Sequence, residues 1–129
     1  MSELCRRQRL LPISIEEIDE DVRFRIDHQM EEVDTSSTPL GALGVYSSLI
    51  FDSSIYNSIC GTVFADQNGT LTIKFSHDGL NFDSEDTVTY YLGVKYGFEI
   101  RPKSRYCQVD FTNGSVAQTV FRITIVGKY

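Results

Sequence analysis

The sequence predicts an all-β protein: a single antiparallel β-sandwich, jelly-roll-like, of about seven to eight strands, with an extended N-terminal arm. Three observations carry this reading. Leu71, Ile73 and Phe75 alternate with Thr70, Thr72, Lys74 and Ser76, the period of two of a half-buried strand. The dipeptides Asn68-Gly69, Asp78-Gly79 and Asn113-Gly114 punctuate the chain where tight turns are needed. No sustained helical periodicity follows residue 21.

The organisation of the 129 residues is asymmetric. Residues 1–40 hold ten acidic and five basic side chains, and residues 41–129 hold eight and seven. Fourteen of the fifteen Phe and Tyr residues lie after residue 40. A segment with one aromatic residue cannot build a core, so residues 1–40 read as an extended arm and linker. Residues 41–129 read as the β-sandwich domain, able to fold alone.

Along the arm, Ile13, Ile15 and Ile18 fit neither the helical nor the strand period. Val22, Phe24 and Ile26 then alternate with Arg23, Arg25 and Asp27, giving a short strand with one apolar face. No sheet lies nearby in sequence to cover that face, which makes these three the expected residues for docking to a partner by strand addition. His28 to Leu40 is polar, and Ser36-Ser37-Thr38-Pro39 reads as linker. From Gly41 onward the alternation predicts strands at about Val45–Phe51, Ile59–Ala65, Thr70–Ser76, Thr87–Leu92, Lys95–Arg101, Tyr106–Thr112 and Thr119–Val126. Val88, Tyr90 and Leu92 form one inward set; Tyr96, Phe98 and Ile100 a second. Cys107, Val109 and Phe111 form a third, and Phe121, Ile123 and Ile125 a fourth. Asn68, Gly69, Asp78, Gly79, Asn113 and Gly114 are the expected structural turn residues, with positive φ at Gly79 and Gly114.

Composition excludes several function classes. A net charge of −6 argues against a nucleic-acid binder held by phosphate contacts, and the Arg6-Arg7-x-Arg9 cluster supplies only weak, salt-sensitive attraction. No run approaches the roughly 18 apolar residues of a membrane helix, and the start lacks the apolar stretch of a secretory signal. Neither membrane nor nucleic acid is an expected partner, and synthesis in a cytoplasm is expected. Cys5, Cys60 and Cys107 are widely spaced, form no C-x-x-C pair and read as reduced thiols.

The blocks Ala65-Asp66-Gln67-x-Gly69-Thr70-Leu71 and Ser76-x-Asp78-Gly79-x-Asn81-Phe82-Asp83 resemble a family of small β-sandwich virion proteins of tailed bacteriophages. Arg105-Tyr106, Phe111-Thr-Asn-Gly-Ser-Val-Ala-Gln118 and Phe121-Arg122 extend the resemblance, which covers about residues 45–126 and leaves the arm outside it. The family usually has Trp where this chain has Phe82. The resemblance implies a non-enzymatic structural protein, a capsid decoration (cement or auxiliary) protein held by its arm to a major capsid protein or another virion protein. It implies location in the virion and a homo-oligomer, a trimer among the arrangements that would add multivalent affinity. The alternative it allows is a tail or baseplate component that binds a carbohydrate or other receptor, with Tyr46, Tyr56, Tyr90 and Tyr91 as stacking platforms.

Three motifs carry candidate chemistry, and each has a structural reading. Ser76-His-Asp-Gly-Leu-Asn-Phe82 resembles the Asp-box of sialidase propellers, with its glycine one residue early; in either setting Asp78 would organise a turn by accepting from its amides. Ser76-His77-Asp78 is contiguous, so adjacent side chains on a strand point apart and cannot form a serine–histidine–aspartate relay. Asp78, Asp83, Glu85 and Asp86 lack the ligand spacing of a calcium loop and read as a solvated acidic turn. No catalytic residue, metal or cofactor is expected.

Overall fold

Alternation decides which side chains turn inward, and the places where it breaks decide how the strands divide between two sheets. The computed structural model describes residues 30–129, and Glu31–Tyr129 form one compact unit. Its strands are β1 (Met30–Ser36), β2 (Val45–Ser47), β3 (Phe51–Asp52), β4 (Ser58–Ala65), β5 (Gly69–Ser76), β6 (Phe82–Tyr90), β7 (Tyr96–Ile100), β8 (Tyr106–Asn113) and β9 (Phe121–Lys128). One 3-10 turn, Ser53–Ile55, follows β3. A four-stranded sheet runs in the order β1-β9-β4-β7, and a five-stranded one in the order β2-β8-β5-β6 with β3 also beside β8. The two antiparallel sheets form the expected all-β sandwich.

The core lies between them. Ile59, Val63, Ala65, Phe121, Ile123 and Ile125 face it from one sheet. Leu71, Ile73, Phe75, Cys107, Val109 and Phe111 face it from the other, so the third and fourth predicted inward sets are fully buried, while Tyr96, Phe98 and Ile100 are only partly buried. Each Val, Leu, Ile or Phe among them contributes about 1.5–3 kcal/mol on burial. Phe111 and Phe121 meet across the sheets with ring centroids 5.1 Å apart, and Tyr90 meets Phe111 edge-on at 5.6 Å. Burial among apolar neighbours pushes the Cys107 thiol up to about 12, which leaves it inert at neutral pH.

Several expectations are corrected. The sandwich begins at β1, well before residue 41, because Met30–Ser36 supplies the strand beside β9. Thr35 Oγ1 donates to the Ile123 carbonyl at 3.0 Å, and Val33 and Leu40 pack on the core. The single strand expected at Val45–Phe51 is two. Ser48 Oγ accepts from the Val109 amide at 2.9 Å, taking a ladder carbonyl's place, and Leu49 and Ile50 turn out to solvent. The strand expected at Thr87–Leu92 starts earlier, at Phe82, and ends at Tyr90; Leu92 lies in the following corner, 55% exposed. Asn68-Gly69 closes no hairpin, since β4 and β5 belong to different sheets. Among the described strands, β5 alone pairs with its successor in the chain, β6, with a register shift at Phe75/Ser76. Gly79 has the expected positive φ, +81°. Gly114 does not; it is glycine because a Cβ there would lie 3.0 Å from the Asn68 carbonyl oxygen.

Candidate functional site

Four of the motif residues, Asp66, Asn68, Asn113 and Gln118, gather at one end of the sandwich, where the chain passes between sheets at residues 37–44, 66–68, 91–95 and 114–120. Asp66 accepts from the Thr119 hydroxyl and from the amides of Thr119 (3.1 Å) and Val120 (3.2 Å). Those bonds, the Thr119 hydroxyl foremost, hold its carboxyl below the usual range. Asn113 is buried and its Nδ2 donates to the carbonyls of Gly41 and Val116, both at 2.8 Å. Gln118 Oε1 accepts from the Leu40 backbone amide at 2.8 Å while the Gln118 backbone amide donates to the Leu40 carbonyl at 2.9 Å. Asn68 links two further corners: its Oδ1 accepts from the Leu92 amide at 2.8 Å, and its carbonyl from the Gly114 amide at 2.9 Å. Tyr90 joins the sheets, its hydroxyl accepting from the Ala65 amide at 2.8 Å and donating to the Val94 carbonyl at 2.6 Å.

This scaffold displays apolar side chains. Leu43, Val45, Tyr91, Leu92, Val94 and Val116 are between 43% and 69% exposed, and all belong to these corners or to the first residue of β2. Leu43 is the described non-glycine residue with positive φ, +59°, a conformation that crowds a leucine Cβ. Its amide donates to the Gly114 carbonyl at 2.8 Å. Leu43 thus combines a backbone conformation that is costly for a side chain with an exposed apolar surface. Sequence reasoning missed this surface. The available signal was leucine or valine inside glycine-bearing turns: Gly41-Ala-Leu43-Gly44, Leu92-Gly93 and Gly114-Ser-Val116.

The other predicted residues fall as follows. Val22, Phe24 and Ile26 lie outside the described residues. At the opposite end of the sandwich, Asp78 organises its turn as the local chemistry predicts. Its Oδ1 accepts from the amides of Leu80 (2.9 Å) and Asn81 (2.8 Å), and its Oδ2 from Asn81 Nδ2 (2.9 Å). These bonds, the Asn81 amide foremost, hold its carboxyl far below the usual range. Ser76 Oγ donates directly to Asp78 at 3.0 Å, with His77 exposed outside that bond. Asp83 and Glu85 share one face of β6 and Asp86 takes the other, where it pairs with Lys103 at 3.1 Å. The acids therefore diverge, and among the described residues no group of acidic, His or Cys side chains converges on a metal site. Of the four tyrosines, Tyr90 is buried and Tyr46 packs on Phe121. Tyr56 lies between Phe51 and Tyr129 and donates to Glu31. Tyr91 alone of the four is openly displayed.

A protein-family model described as "Uncharacterised protein YqxG N-terminal domain" matches residues 25–127. The chain belongs to that family. The match to the YqxG N-terminal domain starts ahead of β1, in keeping with that strand's place in the sheet. A search of curated proteins finds no match. Among solved structures, the chain is similar to the PBSX exported protein XepA, with 22% identity over 93% of this chain and a TM-score of 0.69. At that identity the likeness is one of fold. The chain spans 40% of XepA's length. Lower similarity is found to a subunit of Bacillus endospore appendages, disulfide-linked pili (19% identity, 77% of this chain and 86% of that one, TM-score 0.43). A structure described as a CBM4 compares at 14% identity, 78% of each chain and a TM-score of 0.43.

Proposed function

We propose that the chain is a non-enzymatic structural protein of a tailed-phage particle, specifically a capsid decoration protein that docks on a major capsid protein or another virion protein. The observation that carries this reading is the displayed apolar corner surface, in which Leu43 keeps a strained backbone conformation without any benefit to its own core. Asp66, Asn68, Asn113 and Gln118 spend hydrogen bonds on tying the corners of that end together, which supports a structural role. The fold likeness to XepA, a phage-related protein, adds support. The expected docking residues Val22, Phe24 and Ile26 add a second anchor in this reading, and a homo-oligomer such as a trimer would multiply both contacts.

The test separates docking from folding. Asn is better tolerated than Leu at positive φ, so Leu43→Asn should leave stability unchanged or raise it by up to about 1 kcal/mol. The same variant, and Val116→Asp, should weaken co-sedimentation with undecorated shells. Undiminished association would move the docking surface elsewhere. Copy number in purified particles, by quantitative mass spectrometry, places the protein: hundreds of copies support the capsid, tens or fewer a tail or baseplate, and absence from particles overturns the reading. The second reading, a receptor- or carbohydrate-binding tail component, is favoured by one feature, a cationic groove on the outer face of the four-stranded sheet.

A further inference from the structure

That groove has a volume of about 190 Å³ and is lined by Thr62, Val63, Phe64, Lys95, Tyr96, Gly97 and Arg122. Strand register builds it: Phe64 of β4 stands opposite Arg122 of β9, and Thr62 stands opposite Gly97 of β7. The Arg122 guanidinium lies over the Phe64 ring, 4.8 Å from its centroid. Stacking of this kind fixes a planar fork of donors before any ligand arrives. Lys95 supplies a second positive charge, and no acidic side chain lines the groove. Glu99, the acid further along β7, is turned to Ser58 (2.9 Å) and Lys128 (3.7 Å) instead.

The floor is the informative part. Strand glycines elsewhere in the sandwich are forced by packing. A Cβ on Gly61 would come within 2.5 Å of Phe98, on Gly69 within 2.6 Å of Phe111, and on Gly127 within 2.3 Å of Tyr56. Gly97 is different: a Cβ there would meet only the Gly61 carbonyl oxygen, at an ordinary 3.7 Å. Its φ lies outside the positive range as well. The fold would accept a side chain at Gly97, and β-structure favours one. What the glycine does is keep the groove open, as strand glycines do where a ligand approaches closely.

We infer that this groove binds one oxyanion-bearing sugar residue, a hexuronate or sugar phosphate, its carboxylate or phosphate on Arg122 and Lys95 and its ring over Gly97 with a hydroxyl toward Thr62. The volume is below the roughly 300–1,000 Å³ of a drug-sized pocket, which suits one ring of a longer glycan. A net charge of −6 disfavours polyanions and selects a ligand with a single anionic group at the site. The inference deepens the receptor-binding reading and is independent of where the protein sits in a particle.

The experiment is an NMR titration of the full-length, isotope-labelled protein with glucuronate and with glucose 6-phosphate; glucose is the neutral control and an acetylated glutamate peptide the control for acidic protein. Saturable shifts confined to Thr62, Lys95, Gly97 and Arg122, with both anionic sugars and neither control, are expected. Arg122→Gln should weaken binding roughly ten- to hundredfold. Gly97→Val should fill the groove and abolish binding with the melting temperature held; if it fails to fold, Arg122→Gln decides alone. Absence of saturation, shifts elsewhere, an equal response to glucose, a response only to the peptide, or unchanged affinity in Arg122→Gln would each overturn the assignment. Copy number is read on particles and this titration on purified protein, so either idea can fail without the other.

Discussion

Tyr90 ties the last residue of β6 to the end of β4 in the other sheet and to the corner at Val94 through one hydroxyl. Tyr90→Phe keeps the ring contact with Phe111 but strands the buried Ala65 amide. It should cost about 1–3 kcal/mol, read as a lower denaturant midpoint at unchanged slope. Asp78 makes a pH-dependent contribution of definite sign. Its folded carboxyl titrates lower than in the unfolded chain, so its stabilisation is complete above the ordinary carboxylate value near 3.9 and is lost as pH falls toward the folded one. The difference in melting temperature between wild type and Asp78→Ala should be widest at neutral pH and narrow below about pH 4. Asp78 was legible in the sequence because all its partners lie within three residues. Asn113 was legible only as a turn residue, since the carbonyl it clamps at Gly41 is 72 positions away. The Tyr90 hydroxyl reaches 25 positions back to Ala65, and no local pattern announces such a bond.

Strands followed the same rule of locality. Those with strict alternation, β4, β5, β8 and β9, lie within a residue or two of where periodicity places them. Strands whose faces are set by distant partners did not declare themselves. The β1 segment, Met-Glu-Glu-Val-Asp-Thr-Ser, carries one large buried-type side chain, Val33, and reads as polar linker; its place comes from the open edge of β9. That place has a consequence for stability. A protein beginning at residue 41 loses β1, the Thr35 bond to Ile123 and the Leu40 clamp on Gln118. It should melt well below one beginning at residue 30 and show increased aggregation through the exposed edge of β9. Equal melting temperatures would mean that β1 contributes no net stability. The groove was equally hidden, because Phe64, Gly97 and Arg122 share a face only once β4, β7 and β9 are in register.

For the molecule as a whole, the two proposed anchors predict distinguishable behaviour. Phe24→Asp should weaken association with shells by placing a charge against an apolar partner while leaving the melting curve unchanged. Loss of folding along with binding would assign Phe24 to the protein's own structure. Combined with Leu43→Asn, additive losses of affinity would indicate two independent contacts. The sheet order also bears on how the protein comes to exist at all. β1 has β9 as its neighbour, yet β1 ends at Ser36 and β9 begins at Phe121. At roughly 5–20 residues per second, a ribosome takes several seconds to deliver the partner that β1 needs. During that interval the segment is an unpaired strand in a crowd of identical nascent chains, and the β9 of a neighbour offers the same edge. Concentrated, rapid synthesis should therefore yield dimers that have exchanged β1, detectable by size exclusion as a species that rises with refolding concentration and dissolves only on unfolding.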